Sequence, residues 1–123
     1  MTKEHYYLKF DDNGNIQARL QVLFYQDPDT NYQVAYLPAL EIYGYDKTNK
    51  KARKSLEIQL EEFFAYTTQQ RKLTQELQRL GWKIRSKSRL KVNPPSVADL
   101  LKKRESYGSI LGRKHEADDF VYA

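Results

Sequence analysis

Tyr32 to Phe64 reads YQVAYLPALEIYGYDKTNKKARKSLEIQLEEFF, and the fold of the chain turns on that stretch. Tyr32 to Leu37 is a short run rich in Val and Tyr, which suit a pleated, half-buried surface. Pro38 has no amide to give to a ladder, so it ends that strand or holds it at an edge. A second run, Leu40 to Tyr45, carries Gly44, where a turn, a bulge or a close backbone approach is expected. Thr48 is placed to accept from a free amide of a helix that starts at about Asn49. From there Ala52, Leu56, Leu60, Phe63 and Phe64 recur at three and four residues towards Thr68, an apolar stripe wide enough to cover one sheet face.

Upstream, Ile16 to Gln26 alternates clearly. Ile16, Ala18, Leu20, Val22 and Phe24 fall on one face and Gln17, Arg19 and Gln21 on the other, the period of a strand. Tyr6 to Phe10 makes a first strand, closed by Asp11-Asp12-Asn13-Gly14-Asn15, a run suited to a tight turn. Downstream, Arg71 to Leu80 shows Leu73, Leu77 and Leu80 and stops at Gly81, a second and shorter helix. Trp82 to Val92 places Lys83, Arg85, Lys87, Arg89 and Lys91 on alternate positions. A strand there would gather every cation on one face, although Ser86 and Ser88 also allow two short strands around a polar turn. Pro94-Pro95 breaks the chain, and Ser96 with Asp99 forms a capping pattern for a helix from Val97 to about Arg104.

The expected fold class is therefore α+β. It has an antiparallel meander of three or four strands with a long helix packed across one face. A second short helix, a basic strand or hairpin and a helical C-terminal tail follow. Leu20, Val22, Phe24, Val34, Tyr36, Leu56, Leu60 and Phe63 are expected to line the helix–sheet interface. Residues 1–92 form the α+β domain, and 93–123 read as a docking tail.

The core stretch resembles the HicB family, the antitoxin half of HicA–HicB toxin–antitoxin pairs. Tyr32, Val34, Ala35 and Tyr36 run into Pro38 and Leu40, Gly44 follows, and Thr48 and Ala52 frame the helix start, over about a third of the chain. Lys50 and Lys51 stand where the family favours two glutamates, and the tail lacks an obvious ribbon-helix-helix or helix-turn-helix segment. The resemblance implies a truncated ribonuclease-H-like core. It implies a cytoplasmic, non-catalytic protein that covers a small HicA-like ribonuclease toxin, often with DNA binding for autorepression, and sheets that pair edge to edge into a homo-oligomer.

Composition bounds these expectations. With 123 residues and no cysteine, the chain is of single-domain size and has no disulfide framework or thiolate site. No apolar run is long enough to span a membrane. The net charge of +5 is uneven: residues 1–68 hold eight Lys and Arg against ten Asp and Glu, and residues 69–123 hold thirteen against six. The second half should prefer an anionic partner. Lys47, Lys50, Lys51, Arg53 and Lys54 also crowd the start of the long helix, where cations oppose its dipole. A solvated helix end is the ordinary reading of that run, and a function for the charge is the other.

Chemistry is sparse. His5 and His115 lie at opposite ends of the chain, and no phosphate-loop, nucleophile-elbow or dinucleotide fingerprint occurs. A two-metal nuclease on a ribonuclease-H-like sheet needs carboxylates that converge from several elements. The expected strands offer only Glu41, so neither an enzyme nor a cofactor is expected. Two kinds of binding residue are. Lys83, Arg85, Lys87, Arg89 and Lys91 are candidates for nucleic-acid phosphates, DNA above all, or they protect an edge strand from aggregation. Tyr43 and Tyr45, from a sheet rich in tyrosine, and Tyr107, Ile110, Leu111 and Phe120, from the tail, are candidates for a protein partner.

Overall fold

The computed structural model describes residues 6–11, 15–84 and 90–122, with the backbone alone at Leu90 and Lys91. Four strands come first: β1 (Tyr7–Phe10), β2 (Ile16–Gln26), β3 (Gln33–Leu37) and β4 (Ile42–Asp46). Then follow α1 (Asn49–Gln69), α2 (Leu73–Arg79), β5 (Leu90–Val92), α3 (Val97–Lys103), α4 (Glu105–Leu111) and β6 (Glu116–Tyr122). The α+β meander with a long helix across one face is as expected.

β2 is the spine of the sheet. β6 runs antiparallel along it from Ala18 to Phe24. Ala18 also pairs with Leu8 of β1, and Leu23 also pairs with Tyr36 of β3. A strand has two edges, so β1 and β3 lie end to end along the edge that β6 leaves free. β4 extends the sheet beyond β3, and β5 extends it beyond β1.

The even-numbered residues of β2 face α1. Ala18, Leu20, Val22 and Phe24 are buried with Ala35, Leu37, Ala52, Leu56, Leu60, Phe64 and Phe120 in one hydrocarbon core. Burying each Val, Leu or Phe side chain among them contributes about 1.5–3 kcal/mol, and each Ala methyl less. α1 crosses β4 so closely that a Cβ on Gly44 would meet the Leu56 nitrogen at 2.2 Å and the Ala52 oxygen at 2.7 Å. Close approach, not a left-handed turn, is why glycine stands there. Thr48 caps α1 by accepting from the Lys51 amide at 3.1 Å.

The opposite face is also covered. Leu23 and Tyr36 pack with Leu100, Tyr107 and Ile110 from α3 and α4, flanked by Tyr25, Tyr43 and Leu111. This corrects two expectations. In β3 it is Ala35 and Leu37 that face α1, while Val34 and Tyr36 point the other way. A strand buried on both faces loses the apolar–polar alternation that would fix its phase. The C-terminal segment is also no separate tail: Phe120 sits in the α1 core, and β6 is a full member of the sheet.

Of the alternating stretch 82–92, the described residues form a strand at β5 (Leu90–Val92). Residues 82–84 are irregular, because Trp82 is buried and donates its indole N–H to the Ala39 carbonyl at 2.9 Å. Arg85, Lys87 and Arg89 lie outside the described residues. Among the described residues, no helix is long and apolar enough to cross a membrane.

Candidate functional site

The turn between β3 and β4 anchors one end of the candidate site. Glu41, expected in a strand, adopts φ 57° in this turn and donates its amide to the Leu37 carbonyl at 2.8 Å. Its carboxylate accepts from the Tyr36 hydroxyl, which also lies 3.3 Å from Ser106 Oγ. Burial, together with this carboxylate, raises the Tyr36 phenol well above its ordinary value. Buried Arg104 closes the network from the α3–α4 junction. It donates from Nε to the Pro38 carbonyl at 3.1 Å and from Nη2 to the Leu80 carbonyl at 2.7 Å, and its Nε lies 3.8 Å from Glu41. A single guanidinium thus ties the Pro38 turn to the end of α2.

Beyond this turn, the outer edge of β4 and the flank of α1 enclose an open groove of about 780 Å³. Tyr43, Tyr45, Phe63 and Tyr66 supply its aromatic surface and Glu41 and Glu62 its charge; among the described residues no Lys or Arg lines it. Tyr45 is 61% exposed and Tyr66 56%, while Tyr43 is half-buried and stacks on Tyr36 with ring centres 4.5 Å apart. Large, rigid aromatic area costs little conformational entropy to immobilise, which is why Tyr is enriched at protein interfaces. The β4 edge is partly capped from within, since the Tyr45 amide donates to Ser55 Oγ at 3.3 Å.

Of the residues expected to bind a partner, the structure brings Tyr43 and Tyr45 to this groove. Tyr107, Ile110 and Phe120 are buried in the two cores, so they serve the fold's own packing and are not available to a partner; Leu111 is half-buried against the second core. Sequence reasoning missed Glu62, Phe63 and Tyr66 as groove residues. Gln59, Glu62 and Tyr66 recur at three and four residues on the outward side of α1, and a tyrosine among them was the available signal.

Of the basic candidates 83–91, the described residues include Lys83 and the backbone of Lys91, while Arg85, Lys87 and Arg89 lie outside them. Lys83 is exposed on an irregular segment, and the backbone of Lys91 on β5 pairs with Lys9 on β1. The crowded cations of α1 divide. Arg53 turns to β6, donating to Asp118 at 2.7 Å and to the Asp119 carbonyl at 3.1 Å while lying over the Phe24 and Phe120 rings. Lys54 is 3.7 Å from Glu57. Lys47, Lys50 and Lys51 have no ion-pair partner among the described residues.

On the far side of β6, Asp119 binds Arg19 at 2.8 Å and accepts from the Tyr6 hydroxyl at 2.9 Å. Burial, then the hydrogen bond and charge of Asp119, push the Tyr6 phenol up to about 12. Among the described residues, no group of three or more His, Cys, Asp or Glu is placed to hold a metal ion. Comparison with known proteins returned no matching family model, no similar curated protein and no similar solved structure.

Proposed function

We propose that this protein is a non-catalytic binding module, a HicB-like antitoxin or a stand-alone relative, that covers a small basic ribonuclease toxin in the cytoplasm. The observation that carries the reading is the groove between β4 and α1, with its exposed tyrosines, two carboxylates and no lining cation among the described residues. A protein of net charge +5 would repel a basic partner at random orientations. This groove offers such a partner a locally acidic, aromatic landing surface, so orientation and register are set where the charges complement. Tyr45 and Tyr66 would form the buried anchors of the complex, and the carboxylates its polar rim. Inhibition needs only steric cover of the toxin's active site, which asks for no reactive group on this chain.

The test is co-expression with the product of the adjacent reading frame, expected to be a short basic protein with a catalytic histidine. The intact protein should restore growth, and Tyr45→Ala with Tyr66→Ala should not. Rescue that survives this double substitution would move the contact away from the groove.

A further inference from the structure

Resting on the reading of the β4–α1 groove as the partner surface, we propose that it is a receptor for an arginine side chain, selected by Glu62, Tyr66 and Glu41. The sheet treats the two flanks of α1 differently. At about 100° per residue, Arg53, Glu57 and Glu61 fall on the flank towards β6, near Asp118 and Tyr122. Ser55, Gln59, Glu62 and Tyr66 fall on the flank towards β4.

The β6 flank holds a guanidinium of its own. That of Arg53 lies 5.3 Å from the centre of the Phe24 ring and 5.9 Å from that of Phe120, and it donates to the Asp118 carboxylate at 2.7 Å. Two rings and a carboxylate thus suffice to fix an arginine against this sheet. Arginine suits such a place because its planar, weakly hydrated cation lies flat on a ring and bonds a carboxylate at its edge. The ammonium of lysine is compact and strongly hydrated, and offers no plane to stack.

The β4 flank carries the same kinds of group, and no Lys or Arg among the described residues lines it. Phe63 and Tyr66 present rings from α1, and Glu62 stands one helical turn before Tyr66. Glu41 reaches the same end of the groove. The Tyr45 amide donates to Ser55, so strand and helix are level at that point. From there Ile42 lies about 10 Å back along the strand, and Glu62 about 10 Å onward along the antiparallel helix. The two carboxylates therefore converge beside Tyr66.

The charge at this end is acidic on balance. Glu62 has no ion-pair partner among the described residues. Glu41 accepts from Tyr36 at Oε1, and the same atom lies 3.8 Å from Arg104, which leaves Oε2 without a partner among the described residues. Arg104 is buried and donates to the Pro38 and Leu80 carbonyls, so it offsets Glu41 only in part. Lys51, the cation on this flank of α1, stands about 16 Å before Glu62 along the axis. A guanidinium entering over Tyr66 would meet both carboxylates and no competing cation at the mouth.

The experiment follows the Tyr66 ring protons of the full chain by NMR as a capped Gly-Arg-Gly peptide is added in low-salt buffer. The ring should shift along a saturating curve, with a dissociation constant on the order of tens of millimolar, as one stacked and paired cation allows. Gly-Lys-Gly should bind at least about threefold more weakly. The citrulline peptide, which keeps the shape and loses the charge, should give no saturating shift. Glu62→Gln and Tyr66→Leu (read at Phe63) should each weaken the arginine peptide about threefold. Glu61→Gln removes the same charge from the other flank and should leave it unchanged. Equal binding of the arginine and lysine peptides would overturn the proposal, as would citrulline binding as well as arginine. So would a Glu61→Gln loss equal to that of Glu62→Gln. A Tyr66 ring unmoved by the arginine peptide also overturns it, and the proposed function then stands alone if the basic partner still binds the groove. Arginine binding with no partner from the adjacent reading frame would keep the receptor and remove the toxin as its occupant.

Discussion

The two faces of the sheet are built by different physics, although alternate residues of the same strands supply both. The α1 face is hydrocarbon: Leu20, Val22, Leu37, Leu56 and Leu60 pack with no polar atom among their side chains. The α3–α4 face combines Leu23, Leu100 and Ile110 with Tyr36 and Tyr107, and at its rim hydrogen bonds join Tyr36, Glu41, Ser106 and Arg104 to the Pro38 turn. Non-directional burial provides most of the stability of such a domain. Directional bonds fix how the second layer sits on the first, because each buried polar group left without its partner is costly. The difference has a functional corollary: with both faces covered, the two most exposed tyrosines among the described residues, Tyr45 and Tyr66, lie together at the β4–α1 rim.

Substitutions can break this contrast in order of severity. Leu60→Ala should have the largest effect, lowering unfolding free energy by about 2–5 kcal/mol in urea denaturation. Arg104→Met should follow, at about 2–4 kcal/mol, since it strands the Pro38 and Leu80 carbonyls in a buried site. The Leu60 variant should leave the α3–α4 face docked. The Arg104 variant should expose amides of residues 97–111 to hydrogen exchange ahead of those in β2. Equal exchange in both variants would mean that the two faces form one inseparable core.

Tyr36→Phe should cost less, about 1 kcal/mol at neutral pH, and it carries a pH signature. Tyr36 and Tyr6 hold their protons more tightly folded than unfolded, their phenols being raised by burial and by a neighbouring carboxylate. Between the ordinary phenol value of about 10 and the raised values, the folded state binds more protons than the unfolded one. Their contribution is therefore complete below about pH 10 and is lost as pH climbs, through about 12 for Tyr6. Urea midpoints for the intact protein should fall above pH 10, and Tyr36→Phe should make that fall shallower. A variant with an unchanged alkaline slope would show that Tyr36 titrates normally.

The contrast between faces also explains what could be read in advance. α1 and the first half of β2 were legible because each has a wet side: Gln17 and Arg19 oppose Ile16 and Ala18, and Glu57 and Glu61 oppose Leu56 and Leu60. β3 was legible as a strand but not in phase, since VAYL is buried on both sides. β6 was not read at all, because Asp118 and Asp119 are poor strand residues until Arg53 and Arg19 arrive from elsewhere to pair with them. Tyr107 and Ile110 looked like docking residues in a segment of glycines and charges, and the site they fill is this chain's own sheet. Tyr43 and Tyr45 stood out by composition, whereas Tyr66 and Glu62 join them only once α1 crosses β4.

The smallest stability effect belongs to the residues with the largest expected functional one. Tyr45→Ala with Tyr66→Ala removes exposed rings, so the thermal midpoint should shift by no more than a surface substitution allows, about 0.5 kcal/mol per site. The decisive measurement is calorimetric titration of the purified basic partner from the adjacent reading frame into the intact protein and into this double variant. A groove that anchors the partner predicts clear binding by the intact protein, at least a hundredfold loss in the variant (about 2.7 kcal/mol), and an unchanged melting curve. Equal affinity for both proteins would contradict the account.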